Sequence, residues 1–469
     1  MPAAQFRQGR GLELPTFINL QQSYTEEYLY NRICEEPLID LHWKHRVVGL
    51  TQDADSVTLT VETPDGMQPI TGAYALACDG ASSQTRKMLG LDFPGHSHND
   101  SFLIVDIRAD LPFERQPRFF FDHPTNPDST ILIHPQPDGV WRIDWQVGAQ
   151  VNIEEEKKPD KIDARVRSLI GDTPYEIVWL SAYRFHQRLL ERFQHGRVFF
   201  AGDSAHLVAP FGARGMNSGV LDAENLAWKL GLVMTGKAGS AILNTYDEER
   251  WPAQKENQVV TDTTMRFMVP PNRWHHLRRR LILSLSKSFT PARRWVNSGR
   301  MAVPYSYTQS SLNIPDTDPP SAWRGAPALG SRTPDSRCMP VDETTRSPLR
   351  LRHLLGETFI GLLFIAHAAH AKSLIHEILR TARGIPFTLV VVVPADMIES
   401  LIESELSQVE GVDWLVDDGQ IAADYAARPG SFYLLRPDRH LAARRRSLTA
   451  EKMSALVEDI IRVYQLRVM

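Results

Sequence analysis

The stretch Arg197 to Lys229, RVFFAGDSAHLVAPFGARGMNSGVLDAENLAWK, limits the fold of this chain more than any other segment. Val198 to Ala201 is a short apolar strand that runs into Gly202-Asp203. Gly219 to Val233 has the spacing of an amphipathic helix that ends before Gly236. A carboxylate at the C-terminal end of a buried strand stands where ligands bind in open α/β sheets, and it can accept hydrogen bonds from hydroxyl groups. Between strand and helix, Gly212, Gly215 and Gly219 leave the backbone uncovered. Bare N–H groups at the positive end of a helix suit an anionic or electron-rich ligand edge. Taken alone, Gly202-Asp203 reads equally as a tight turn with an N-capping Asp.

A second segment, Ala75 to Arg86 (ALACDGASSQTR), repeats the arrangement: the compact apolar strand Tyr74 to Cys78 runs straight into Asp79-Gly80. In isolation it would be a hairpin or a cap. Upstream, Gln22 to Glu36 has helical spacing and is stopped by Pro37, Ile39 to Gly49 and Ser56 to Glu62 alternate like strands, and Pro64-Asp65-Gly66 after them supplies a turn. Phe102 to Ile107, Phe119 to Phe121, Thr130 to His134 and Val140 to Val147 predict an antiparallel sheet. A helix is predicted after the polar stretch Asn152 to Asp163. Ser240 to Arg266 and Arg273 to Lys287 read as helices, and Pro304 to Asp335, rich in Pro, Ser, Thr and Asp, as a linker. Beyond it, the apolar strands Phe359 to Ala366 and Phe387 to Val393 flank a helical stretch, the βαβ rhythm of a small α/β domain.

The two segments, with Gly202-Asp203 and Asp79-Gly80, resemble the flavin-binding signatures of the para-hydroxybenzoate hydroxylase-like FAD-dependent aromatic hydroxylases. The first matches GDxAH…P…GxGxN…DAxNLAWKL, with Ser204 where Ala is common and Ala213-Arg214 inside the glycine loop. The second matches DGxxSxxR, with Asp79, Gly80, Ser83 and Arg86 in register. The resemblance spans roughly Leu14 to Arg444 and is strongest to the long phenolic hydroxylases acting on 3-(3-hydroxyphenyl)propionate, phenol, resorcinol or aromatic polyketides. It implies that Gly202-Asp203 binds the ribityl hydroxyls, that Pro210 lies beside the reactive ring, and that Gly212 and the Gly215-Met216-Asn217 backbone meet the pyrimidine carbonyls. Asp79, Gly80 and Arg86 would stand near the pyrophosphate and the passing nicotinamide. Gln21 or Gln22, in FINLQQ, would lie near the ribityl chain, or be a surface residue at a helix start. Asp222, Asn225, Trp228 and Lys229 would pack or cap.

The resemblance further implies NADH or NADPH as electron donor and a flavin C4a-hydroperoxide, formed with O2, that delivers one oxygen to a phenol ring. A phenol ionises at about pH 10, so the protein must help remove its proton, and no residue of the sequence is singled out as that base. Phe121, His134, Arg142 and Trp145, from the predicted sheet, are candidate pocket members, because alternation puts every second side chain on one face.

The implied fold is α/β, α+β overall, with a Rossmann-like FAD/NAD(P)-binding domain at 1–95 and 190–240. A substrate-binding antiparallel sheet covers 96–189, a helical segment and linker 241–315, and a thioredoxin-like α/β domain 316–469. Length fits this division, since chains of this size hold about two to four domains. The resemblance leads one to expect a βαβ unit with GxGxxG for the ADP half of FAD, and none occurs. Gly9-Arg10-Gly11 follows no strand, so the expected nucleotide-binding domain lacks its first unit. Nor is there a CxxC: Cys34, Cys78 and Cys338 are far apart, which predicts neither disulfides nor zinc nor thiol chemistry in the last domain, leaving packing or a homodimer as its role.

Lys+Arg 52 against Asp+Glu 56 gives a formal net charge of -4, so nucleic acid is not an expected partner, and Arg278-Arg279-Arg280 and Arg444-Arg445-Arg446 read as solvated faces. No apolar run approaches the roughly 20 residues of a membrane span, and the N-terminus has no signal-peptide core, so a cytoplasmic setting is expected. His367 and His370 share a helix face without a third ligand, and no metal is expected. Two other readings stay open: a related flavin-dependent epoxidase or oxidase, and a catalytically impaired fragment serving as a binding or oligomerisation module.

Overall fold

The computed structural model describes residues 18–148, 150–210, 212–270, 272–289, 291, 303–341, 349–354, 356, 358–366, 368–403 and 409–468. Gly9-Arg10-Gly11, His367 and the side chain of His370 lie outside what is described. The chain is mixed α/β and falls into two compact units. One comprises the described residues of Met1–Glu191, His195–Ser218 and Gln254–Ala302, the other those of Arg192–Gln194, Gly219–Ala253 and Val303–Met469. Among the described residues no helix is long and apolar enough to cross a membrane.

Among the described residues the first helix of the first unit is α1 (Gln22–Glu35), which buries none of its residues. An antiparallel meander follows, β1 (Arg46–Gln52), β2 (Val57–Thr63) and β3 (Gly66–Gly72), its tight turn using Gly66 at φ 111°. The strand expected from Ile39 begins only at Arg46. Leu38, Ile39, Leu41 and Trp43 are exposed, and Lys44 at φ 60° breaks the extended backbone.

After β4 (Ala75–Ala77) and α2 (Gln84–Met88) comes a six-stranded antiparallel sheet. Its strands are β5 (Gly95–Arg108), β6 (Arg118–His123), β7 (Asn126–Pro135), β8 (Val140–Val147), β9 (Glu176–Leu189) and, beyond β10 (Gln194–His195) and β11 (Val198–Phe200), β12 (His206–Leu207). They lie in the order β12-β9-β5-β8-β7-β6. α3 (Ile153–Glu156) and α4 (Pro159–Ile170) connect β8 to β9.

Alternation along β8, VWRIDWQV, divides the sheet into two unlike faces. Trp141, Ile143, Trp145 and Val147 join Leu103, Val105, Ile107, Ile131 and Ile133 in a core closed by Ile162, Val166 and Ile170 of α4. The spacing i, i+4, i+8 puts those three on one helical stripe, and each such burial stabilises the fold by roughly 1.5–3 kcal/mol. Phe102, Leu132 and Phe185 belong to the other cluster, with Ala209 and with Met265 and Met268 from the end of α6 (Thr245–Met268). α5 (Gly215–Met234) precedes α6, and α7 (Arg273–Ser288) follows it.

In the second unit a seven-stranded mixed sheet takes the order β14-β13-β17-β16-β15-β18-β19. Its strands are β13 (Arg337–Pro340), β14 (Leu349–Arg350), β15 (Phe359–Phe364), β16 (Phe387–Pro394), β17 (Val412–Asp417), β18 (Phe432–Leu435) and β19 (Leu441–Arg445). β15 and β16 run parallel with α8 (Ala368–Thr381) between them in the chain. α9 (Ile398–Glu403), α10 (Gln420–Tyr425) and α11 (Ala450–Val463) complete the unit.

The stretch Pro304 to Asp335, expected to be a linker, is packed into this unit. Tyr307, Leu312, Ile314 and Trp323 are buried, Ile314 N–H donates to Ala442 O at 2.9 Å, and Arg444 pairs with Asp316 at 2.7 Å. Its prolines exclude regular structure but not burial. Arg444 and Arg445, expected on a solvated face, are buried as well. Cys338 is buried, and that burial pushes its thiol up to about 11, the opposite of a reactive thiolate.

A buried polar network crosses the same unit. Glu249 of α6 accepts from Asn225 Nδ2 at 2.7 Å, Lys229 Nζ at 2.8 Å, Ser310 Oγ at 2.6 Å and Arg436 Nη2 at 2.9 Å, while Arg436 also pairs with Asp438. Arg250 binds Asp222 at 2.7 Å and Tyr307 Oη at 2.9 Å. Asp222, Asn225 and Lys229 are thus buried partners in this network, and Trp228 meets Phe359 edge to face and Tyr464 at a tilt.

Candidate functional site

β4 and β11 pair in parallel, Ala75 against Val198 through Ala77 against Phe200, so the Asp79-Gly80 and Gly202-Asp203 turns leave the same edge of the sheet side by side. Ala201 N–H donates to Ala77 O at 3.2 Å, and the Ser204 hydroxyl reaches the same carbonyl at 2.5 Å. Gly202 at φ 60° and Gly80 at φ 77° occupy left-handed backbone that a side chain would strain. Asp203 is exposed at its surface, but the protein packed around its carboxyl removes enough water to raise it above the usual range, with His206 opposing that rise.

The neighbouring Asp79 is differently engaged. Its Oδ2 accepts the Thr85 N–H at 2.9 Å, and although burial works against it, the Ser83 hydroxyl and that N–H hold the carboxyl below its usual range. Arg86 is buried and donates to Ser204 O at 2.9 Å and Ala81 O at 2.7 Å, with its guanidinium 3.9 Å from the centre of the Phe93 ring. These bonds tie the two turns together. A Cβ at Gly80 would meet nothing within 4 Å, so that backbone is open to a ligand.

The chain then passes buried Ala209 and exposed Pro210 to the glycine loop, where Gly212 has φ 88° and Ala213 φ 54°. α5 starts at Gly215, and Ser218 N–H closes on Arg214 O at 2.9 Å. The N–H groups of Gly215, Met216 and Asn217 belong to the first turn, which has no intrahelical acceptors. Gly215 has open space where a Cβ would be, Met216 is 57% exposed, and the Asn217 amide donates to Ala213 O at 2.7 Å. Arg214 is buried against the Asn257 side chain. Of the paired glutamines, Gln22 donates to Glu26 at 2.6 Å, whereas Gln21 caps α1 through its carbonyl and makes no side-chain cap bond.

The four candidate pocket residues separate. Trp145 is 1% exposed in the core beneath α4, on the opposite face from His134 and Arg142, because residues three apart on a strand point to opposite sides. It is therefore a core residue and not a pocket member. His134 and Arg142 are direct cross-strand partners on β7 and β8. Phe121 packs at the edge of the Phe102 cluster under the Arg279 guanidinium.

Two residues of that face were not singled out in the sequence. Tyr183 lies 5.5 Å ring to ring from Phe185, which stacks on Phe102 at 4.7 Å, and the Asp203 charge contributes to a raised Tyr183 pKa, after burial. Asp144 Oδ2 lies 3.7 Å from His134 Nε2. Burial pushes the Asp144 carboxyl up to about 7 and, with Arg142 adding to the effect, His134 down to about 4. Arg142 itself is held by Asp106 through two bonds of 2.8 and 2.9 Å. The signal for Asp144 was present in VWRIDWQV, where Arg142, Asp144 and Gln146 recur with period two in an otherwise apolar strand.

A carboxylate acceptor for hydroxyl groups, a helix start with free donors for electron-rich carbonyls, open backbone at Gly80 and Gly215 and an adjoining aromatic wall form a donor set that suits the ribityl and ring portions of a flavin. The family model of the FAD binding domain matches residues 7–261, more than half the chain. This chain belongs to that family.

It is 30% identical over 346 residues to the 3-(3-hydroxy-phenyl)propionate/3-hydroxycinnamic acid hydroxylase of Mycobacterium sp. (strain JLS), covering 73% of this chain and 58% of that protein. With the hydroxylase of the same name from Mycolicibacterium smegmatis it shares 26% identity over 434 residues, 91% of this chain and 73% of the relative. The chain thus spans less than two thirds of the first of these proteins. Among solved structures, the flavin-dependent monooxygenase PieE in complex with FAD and substrate has the same fold, with a TM-score of 0.73 at 21% identity, over 95% of this chain and 80% of that one.

Proposed function

We propose that this chain binds the ribityl and isoalloxazine part of FAD and acts in the hydroxylation of a phenolic substrate with NADH or NADPH and O2, in a cytoplasmic setting. When bound, the flavin supplies electron transfer from the nicotinamide and activation of O2. The residues of the chain hold and orient. Asp203 accepts the ribityl hydroxyls, and the first turn of α5 (Gly215, Met216, Asn217) faces the pyrimidine edge. Pro210 and Gly212 line the approach, and Gly80 leaves room for the nucleotide. Asp79 and Arg86 serve the same site by fixing the turn that carries Gly80. Of the two glutamines, Gln21 is the one with its amide left for the flavin.

The observation that carries this reading is the joining of the two halves by Ala209. It packs against Phe102, Leu132 and Phe185, one residue from Pro210, so the ring-facing loop and the aromatic sheet face share a wall. That wall shields a ring from water. In this reading flavin binding belongs to 1–95 and 190–240, the substrate sheet to 96–189, helices and a linker to 241–315, and packing or dimerisation to a thioredoxin-like 316–469, whereas the compact units of the chain are cut near Ser218, Ala253 and Ala302 instead.

The experiment is a titration of the purified chain with FAD, followed by 3-(3-hydroxyphenyl)propionate and NADH or NADPH. Saturable quenching of flavin fluorescence and substrate-dependent oxidation of the nicotinamide with a new ring hydroxyl are expected. A chain that takes up no FAD refutes the reading.

A further inference from the structure

The sheet face that carries Phe102, Leu132 and Phe185 holds a buried acid with one oxygen unused. Asp144 stands in register between Leu132 of β7 and Ile104 of β5, two apolar neighbours. Its Oδ1 is shielded from solvent and has no hydrogen-bond partner among the described residues, while Oδ2 faces His134 Nε2 at 3.7 Å. The charged groups that act on Asp144 and His134 from the surrounding strands are Arg142 on β8 and Asp106 on β5. Arg142 directs Nε and Nη2 to the two oxygens of Asp106, and its charge acts on Asp144 without a hydrogen bond to Oδ1. A buried carboxyl oxygen without a partner is costly, and a hydroxyl presented by a ligand removes that cost. The wall around it is apolar and aromatic, so the ligand that would present a hydroxyl there is an aromatic alcohol.

We propose that Asp144 Oδ1 receives the hydroxyl of the phenolic substrate and takes its proton as the ring reacts, with His134 steering Oδ2. This rests on the reading of the chain as a phenol hydroxylase. In the step the phenol O–H bond breaks and an O–H bond forms at Oδ1. The electron pair stays on the phenol oxygen, and carboxylate and phenol become carboxylic acid and phenolate with no change of oxidation state. The carboxylate is the better base of the pair, since burial raises Asp144 to about 7 and lowers His134 to about 4. His134 is thus neutral when Asp144 takes a proton and positions it without competing for it.

The test uses the FAD-loaded full chain and 4-nitrophenol, whose phenolate absorbs in the visible, so ionisation of the bound ring is read without turnover. In the wild type the ring and Asp144 share a proton, and the bound phenol ionises in two steps on either side of the free compound's midpoint. Asp144→Asn leaves one step, while His134→Gln keeps two. In turnover, Asp144→Asn lowers kcat roughly 100-fold at neutral pH with a smaller change in KM, and recovers as pH approaches the substrate's own pKa. A one-step wild-type titration that superimposes on that of Asp144→Asn overturns the role of Asp144 alone. Failure of the FAD-loaded wild type to bind the nitrophenol overturns the phenol reading itself. If Asp144→Asn loads no FAD, Asp144→Glu decides instead. Two steps with altered spacing support the proposal, and a curve identical to wild type overturns it.

Discussion

Asp144 Oδ2 lies 3.7 Å from His134 Nε2, and burial shifts the two groups in opposite directions, the carboxyl up to about 7 and the imidazole down to about 4. The consequence for stability has a definite sign. Between pH 4 and its ordinary 6.5, His134 binds a proton in the unfolded chain that it does not bind in the fold, so it makes folding more favourable as pH rises. Asp144 does the reverse from 3.8 to about 7, where the fold binds the extra proton. Across pH 4 to 6.5 the two contributions cancel. Asp144→Asn should expose a stability that climbs with pH over that window, by on the order of 3 kcal/mol, and His134→Gln one that falls by a similar amount up to pH 7. Urea unfolding at fixed pH values checks both. Parallel slopes in the two variants would contradict the opposed shifts.

Asp203→Asn tests the flavin contact. Hydrogen bonds to a charged group are worth about 1.5–3 kcal/mol, so FAD affinity should weaken roughly 10- to 100-fold with circular dichroism unchanged. Fluorescence titration measures it, and an unaltered dissociation constant removes Asp203 from the site.

Ala213 holds φ 54°, a conformation that costs an L-residue about 1–2 kcal/mol. Glycine there removes that strain but adds chain entropy to the unfolded state, for a net gain of about 0.5–1 kcal/mol. The thermal midpoint of Ala213→Gly should rise by a few degrees. A fall would show that the loop uses the alanine methyl group.

Glu249→Gln removes the acid that faces Lys229 and Arg436 while leaving both cations buried. Breaking a buried pair from one side costs about 3–5 kcal/mol. Denaturant unfolding should show the loss, and a change under 1 kcal/mol would mean that Asp438 alone balances both cations.

How much of this was legible in the sequence depends on the range over which each signal acts. Gly202-Asp203 and Asp79-Gly80 were readable because strand, turn and glycine are neighbours in the chain, and the parallel pairing of β4 with β11 brings the two turns to one edge. Alternation marked β8 along its whole length but not which face mattered. Trp145 was grouped with Arg142 although their odd separation along the strand puts one under α4 and the other opposite. Asp144 was passed over because its environment comes from Leu132 and Ile104, far away in sequence. Pro304 to Asp335 misled in a similar way: composition forecasts irregular backbone, but burial of Ile314 and Trp323 depends on partners such as Ala442 and Arg444.

The most direct measurement is turnover of the FAD-loaded chain with NADH or NADPH and 3-(3-hydroxyphenyl)propionate under isotopically labelled O2, with the product analysed by mass. One labelled oxygen in a new ring hydroxyl, appearing only with substrate and greatly reduced in Asp144→Asn, is the predicted result. Nicotinamide oxidation that leaves the ring unlabelled would contradict the assignment of this chain to phenol hydroxylation.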